Sequence, residues 1–213
     1  MQIKDVVNIL NTFNVNVVFD TRQDVVNRII QGTSTLLYFT PIDGKEKIKY
    51  EKCKNKTDFI SSTPTIHIPD LTIRELVNTF ECDVGNTYDT TKQMISQFNS
   101  TDIPQDVVFV AFLFLHEVGH WVQFANMGNR VYEFVNTDIE VSKDNYEKMQ
   151  KAQQKRAKRI RNNGDSCLLT VNEKATFKKL SDEYRKIPKE KNADDFALSQ
   201  MEQALNLLRE KNN

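Results

Sequence analysis

A chain of 213 residues with 29 basic and 29 acidic side chains is formally neutral at pH 7, which excludes a global field drawing it to nucleic acid or an anionic membrane. Charged residues at 27% and hydrophobic ones at 39% are ordinary for a soluble protein. The longest apolar run is Val107 to Leu115, well short of the ~18 residues that span a bilayer.

This length suits one sizeable core, and the economical organisation is a single domain over 1–213 with an insertion at about 129–187. Cys53, Cys82 and Cys167 are an odd number without a Cys-x-x-Cys pair, so neither a disulfide framework nor a cysteine zinc site is expected. The start, MQIKDVVNIL, carries Asp5 where a signal peptide needs a continuous apolar core. A cytoplasmic protein without a membrane partner is the expectation.

Ile3, Val6, Val7, Leu10 and Phe13 follow helical spacing. Asn14 to Asp20 alternates and is rich in valine, which predicts a short strand. Thr21-x-x-Asp24 reads as the cap of a helix through Val25, Val26, Ile29 and Ile30, stopped near Gly32. Thr35 to Thr40 and Lys45 to Glu51 flank Pro41-Ile42-Asp43-Gly44, which predicts a hairpin with a solvent-facing second strand. Thr65-Ile66-His67-Ile68, bounded by Pro64 and Pro69, reads as an edge strand because proline cannot donate to a ladder. Such an edge can bind a substrate backbone as an added strand.

Thr72-x-x-Glu75 opens a helix to about Phe80, Asp83 to Thr91 reads as a loop, and Gln93 to Phe98 as a helical turn or two. Thr101 or Asp102 then caps the main helix, with Pro104 near its first turn and Met127-Gly128 at its end. Inside it lies His116-Glu117-Val118-Gly119-His120. Residues four apart on a helix share a face, so His116 and His120 can present two imidazoles to one zinc ion, with Glu117 beside them as general base. From composition alone, such a match arises with a probability of roughly 0.0025. Two buried imidazoles without a shared partner would cost free energy, and a metal supplies that partner. The one other histidine, His67, lies on a strand about fifty residues upstream, where a surface or groove-lining role is expected over ligation.

From Lys143 to Arg161 eight basic residues face two acids. A solvated helix in the insertion explains this bias better than a nucleic-acid surface, because aromatic interleaving is absent. Asn163-Gly164 ends that helix, Cys167 to Val171 is a short apolar link, and Thr170-x-x-Glu173 caps a helix bearing Phe177, Leu180 and Tyr184.

A catalytic zinc takes three protein ligands and one open position. With histidine exhausted, the third ligand is expected to be a carboxylate. On the helix that starts near Pro188, Glu190, Ala193, Asp194, Ala197, Met201, Ala204, Leu205 and Leu208 share one face. Two acids on an apolar stripe are costly unless each has a partner. Zinc for Glu190, and the free ring N–H of a zinc-bound histidine for Asp194, would satisfy both. Asp195 points away to solvent. Small Ala193 and Ala197 let this helix approach the metal helix.

His-Glu-x-x-His followed by Glu190-x-x-Ala193-Asp194 resembles the gluzincin zinc metallopeptidases. With His-Glu-x-Gly-His and Phe196-Ala197, it looks more narrowly like the ImmA/IrrE-type metallopeptidases. The resemblance implies an α+β, zincin-like fold: a small mixed sheet, an HExxH active-site helix and a C-terminal ligand helix. It also implies Zn2+ as cofactor, a protein or peptide substrate such as a regulator, and a water deprotonated by Glu117. Tyr132 or Tyr184 is left as the second donor to the oxyanion, with Tyr184 preferred. Two alternatives stand beside a peptidase: a non-catalytic zincin-fold zinc protein that binds a partner, and a nucleic-acid-binding protein using 143–161.

Overall fold

The computed structural model describes residues 1–25, 36–83, 87–99, 101–163 and 170–212. Within them the chain is a mixed α and β structure, mostly helical, with one three-stranded sheet. Helix α1 (Ile3–Leu10) buries Ile3, Val6, Val7 and Leu10, and the Gln2 N–H donates to Asp5 at its start. Strand β1 (Asn16–Asp20) follows. Thr21 and Asp24 cap each other, with the Asp24 N–H on Thr21 Oγ1, and helical backbone begins at 22–25. The rest of the helix expected there, through Val26, Ile29 and Ile30, lies outside the described residues.

Two strand expectations are corrected. Only the first arm of the expected hairpin is a strand, β2 (Tyr38–Thr40). The charged second arm is helix α2 (Gly44–Lys52), started by the Asp43 carboxylate accepting the Glu46 N–H. Lysine and glutamate are good helix formers, and a strand at 45–51 would leave Glu46 without its partners. Strand β3 (Thr65–Pro69) is central rather than an edge: it pairs parallel with β1 and antiparallel with β2, in the order β1-β3-β2. Its prolines do not interrupt the ladder, because Pro64 precedes the strand and Pro69 occupies its last position.

Glu46 is 8% exposed and accepts from Ser61 Oγ, Ser62 N–H and Oγ, and Thr63 Oγ1. Burial alone raises its pKa, but these donors together pull it down from 4.5 to about 2. A carboxylate depressed in the folded state stabilises above its unfolded pKa and loses that contribution as pH falls through the folded one. The shift corresponds to about 3 kcal/mol near neutrality. The stability gap between wild type and Glu46→Gln in urea unfolding is therefore expected to shrink by more than half from pH 6 to pH 3. A gap constant over that range contradicts the assignment.

Helix α3 (Ile73–Asp83) is capped by Thr72 and Glu75, each accepting the other's N–H. Thr87–Met94 is a helix, α4, not the loop expected over Asp83 to Thr91. Tyr88 packs edge-on to Phe109 and Thr91 is fully buried, so long-range contacts outweigh a polar local sequence. Helix α5 (Gln105–Asn126) has Pro104 at its N-cap rather than Thr101 or Asp102, consistent with proline's fixed φ at helix starts. It ends at Met127, and Gly128 and Asn129 carry positive φ values of 65° and 58°.

By length and composition α5 could cross a membrane, yet 72% of its most apolar window is buried inside the protein. It is the axis of the core, flanked by α1, α3, the sheet face of Ile66 and Ile68, and most extensively by α9 (Pro188–Asn212). Between them, α6 (Val131–Asn136) places Val131 and Phe134 on Phe124. Helices α7 (Ile139–Asn163) and α8 (Val171–Tyr184) pack as a pair. The Arg159 guanidinium grips both oxygens of the Glu173 carboxylate, and buried Asn145 donates to the Leu180 carbonyl. Gly164 and most of the link from Cys167 to Val171 fall outside the described residues.

Candidate metal centre

Because His116 and His120 are one turn apart, their rings stand together, centroids 4.7 Å apart and edge to face. Helix α9 brings Glu190 opposite them: Glu190 Oε2 lies 3.4 Å from His116 Nε2 and 3.3 Å from His120 Nε2. Among the described residues these three are the group of His, Cys, Asp or Glu side chains that could hold a metal ion, their ligand atoms all within 4.8 Å of one another. Nitrogen and oxygen ligands at zinc distances of about 2.0–2.2 Å in a tetrahedron are about 3.4 Å apart. Both histidine-to-glutamate separations match that value. Glu190 Oε2 is buried and has no hydrogen-bond partner, a costly state for an ionised oxygen that a cation between the three groups would relieve. The residues fit zinc.

The close approach of the two helices follows from small residues. An added Cβ on Gly119 would come within 2.9 Å of Ala193 Cα and 3.0 Å of its carbonyl oxygen, so only glycine fits there. The start of α9 is fixed by two further bonds: Gln123 Nε2 donates to the Lys189 carbonyl, and the Lys189 N–H donates to Asp138. The face from Glu190 to Leu208 is buried along its length, and Asp195 lies outside it, paired with Lys191.

Around these residues the charges are uneven. Asp194 Oδ1 is 2.9 Å from His116 Nδ1. Burial would lower the His116 pKa, but its bond to Asp194, the adjacent Glu190 oxygen and the charges of Glu117 and Asp194 raise it to about 10. Burial opposes ionisation of Glu190 and Asp194, yet the two histidines hold Glu190 well below the usual carboxylate range, and His116 with Arg185 holds Asp194 below its own. Glu117, by contrast, is pushed up by burial. Its Oε2 accepts the Phe39 N–H at 2.8 Å, from strand β2. Buried carboxylates therefore dominate, and the centre attracts positive charge.

Tyr184 brings its hydroxyl beside Glu190, while the residue as a whole is 40% exposed. Burial of that hydroxyl, then the charge and hydrogen bond of Glu190, raise its pKa well above the normal phenol value, so it stays protonated. Tyr132 is within electrostatic reach of Tyr50 instead. His67 stacks on Tyr38 with ring centroids 4.5 Å apart and meets Asp20 through Nδ1 at 3.0 Å, apart from the metal group.

Three participants gave no signal in the sequence: the Phe39 N–H, Gln123 and Arg185, which donates to Asp194 at 2.6 Å. A backbone donor carries no residue signature, and Gln123, at i+3 from His120, reads as an ordinary helix residue. No protein-family model, curated protein or solved structure matches the chain in comparison.

Proposed function

We propose that this chain is a zinc-dependent metallopeptidase of the gluzincin type, with a zincin-like fold similar to the ImmA/IrrE-type enzymes. The observation that carries the reading is the convergence of His116 and His120 on an otherwise unpartnered Glu190 oxygen, at the separations of a tetrahedral zinc site. Zinc bound there supplies Lewis acidity, polarising a scissile carbonyl and lowering the pKa of water toward ~7.

Glu117 is the general base. One of its oxygens is oriented by the Phe39 N–H, which leaves the other to take the water's proton and pass it to the leaving amine. Tyr184, kept protonated beside Glu190, is the donor to the developing oxyanion. Strand β2 is an edge of the sheet and meets the site at Phe39, so an extended protein segment can add to it as a further strand. A structural zinc site has no use for a carboxylate next to its ligands, which disfavours the non-catalytic alternative. The basic-helix alternative loses force because Arg159 turns inward to Glu173 and Lys148 is taken by Asp144.

The test is hydrolysis of casein, an unfolded protein substrate, by the zinc-loaded chain beside Glu117→Gln. Cleavage that a chelator stops, zinc restores and Glu117→Gln lacks is the expected outcome. Equal cleavage by both proteins contradicts it.

A further inference from the structure

Asp194 Oδ1 has two donors: His116 Nδ1 at 2.9 Å and Arg185 Nη1 at 2.6 Å. The other guanidinium nitrogen, Nη2, donates to Thr91 Oγ1 at 2.8 Å. Arg185 and Asp194 are only 14% and 6% exposed, and Thr91 is fully buried. The same guanidinium lies 5.9 Å from the ring centroid of Phe112, one turn before His116. One planar cation thus joins α4 through Thr91, α9 through Asp194 and α5 through Phe112.

We propose that Arg185 is a positioning residue of the metal centre: it locks the Asp194 carboxylate so that His116 Nδ1 is engaged and Nε2 is aimed at the metal. This role presupposes the zinc site proposed above. A single carboxylate–imidazole bond leaves the carboxylate free to pivot, whereas a guanidinium held at a second point fixes it. Charge points the same way. Glu117, Glu190 and Asp194 bring three carboxylates to the centre, the last two buried, and a divalent cation would balance two of them. Arg185 balances the third, at Asp194, where an uncompensated buried charge would be costly. Lysine keeps the charge but is a point donor that cannot span Asp194 and Thr91 together. Arg185 is also the C-cap of α8, so the α7–α8 pair is tied to the metal centre through it.

The experiment is zinc affinity by competition with a chromophoric chelator, for wild type, Arg185→Met, Arg185→Lys, Asp194→Ala and the Arg185→Met/Asp194→Ala double variant. Visible spectra of the Co2+-loaded proteins report the ligand field. Arg185→Met is expected to weaken zinc binding about 10- to 100-fold, as loss of an outer partner of a ligand does. Arg185→Lys should recover part of that loss, the cobalt bands should shift in Arg185→Met, and the double variant should bind about as Asp194→Ala alone. A folded Arg185→Met with wild-type affinity overturns the role, as does an equal further loss on top of Asp194→Ala, which would mark a general structural effect. Should Arg185→Met fail to fold, Arg185→Lys decides alone: unchanged affinity and cobalt spectrum overturn the role. A wild type that takes up no zinc overturns the metal centre itself, an outcome distinct from the others.

Discussion

Glu117→Gln should retain its fold and its zinc while its peptide hydrolysis falls by about 10²- to 10⁴-fold, the usual weight of a positioned base. Glutamine keeps the volume of glutamate, and its amide oxygen can still accept the Phe39 N–H, so the helix and strand β2 have no reason to move. What is lost is the acceptor for the water's proton. Glu117 does not belong to the three-residue metal group, which is why zinc content should be unaffected. The comparison is of turnover and zinc stoichiometry on the same preparations. Loss of both together would mean that Glu117 helps to hold the metal, and undiminished turnover would remove it from the mechanism.

Gly119→Ala should destabilise the protein and loosen the metal site, although alanine is the better helix former. Replacing a mid-helix glycine by alanine gains about 1 kcal/mol of helix propensity. Against this, the new Cβ would meet Ala193 Cα at 2.9 Å and the Ala193 carbonyl oxygen at 3.0 Å. Those atoms are backbone, so they cannot rotate away and α9 must shift as a unit. Overpacking of this kind costs about 1–3 kcal/mol, enough to cancel the propensity gain. A shift of α9 also moves Glu190, three residues from Ala193, away from the histidines. Lower stability in urea together with weaker zinc binding is the expected pair of results. A stabilised Gly119→Ala that binds zinc like wild type would contradict the close packing of α5 on α9.

The candidate site was more legible in the sequence than the fold around it, because its signals are local. A four-residue spacing brings His116 and His120 together wherever a helix forms, and the face from Glu190 to Leu208 is written in one unbroken helix. The acidic pair on that face stood out against its apolar neighbours. The strand order had no such local code. Pro64 precedes β3 and Pro69 takes its last position, opposite Asp20, so neither interrupts the ladder and neither carried information about edge or centre. Pro41-Ile42-Asp43-Gly44 was ambiguous in itself, since an aspartate before a glycine serves a turn and a helix cap equally. Helix α2 wins because Asp43 takes the Glu46 N–H and Glu46 collects donors from Ser61, Ser62 and Thr63, contacts fifteen or more residues away. Thr91 and Arg185 meet across 94 positions, and Pro188 separates Arg185 from the helix that carries Asp194. Interactions of that range appear only once the chain is folded.

The measurement that reaches the central claim most directly is zinc content by elemental analysis of wild type, Glu190→Ala and Glu190→Gln, purified side by side. One zinc per wild-type chain, with clear loss in both folded variants, is the predicted result. Zinc retained in full without Glu190 would move the third ligand elsewhere, and no zinc in wild type after reconstitution would contradict the metallopeptidase reading altogether.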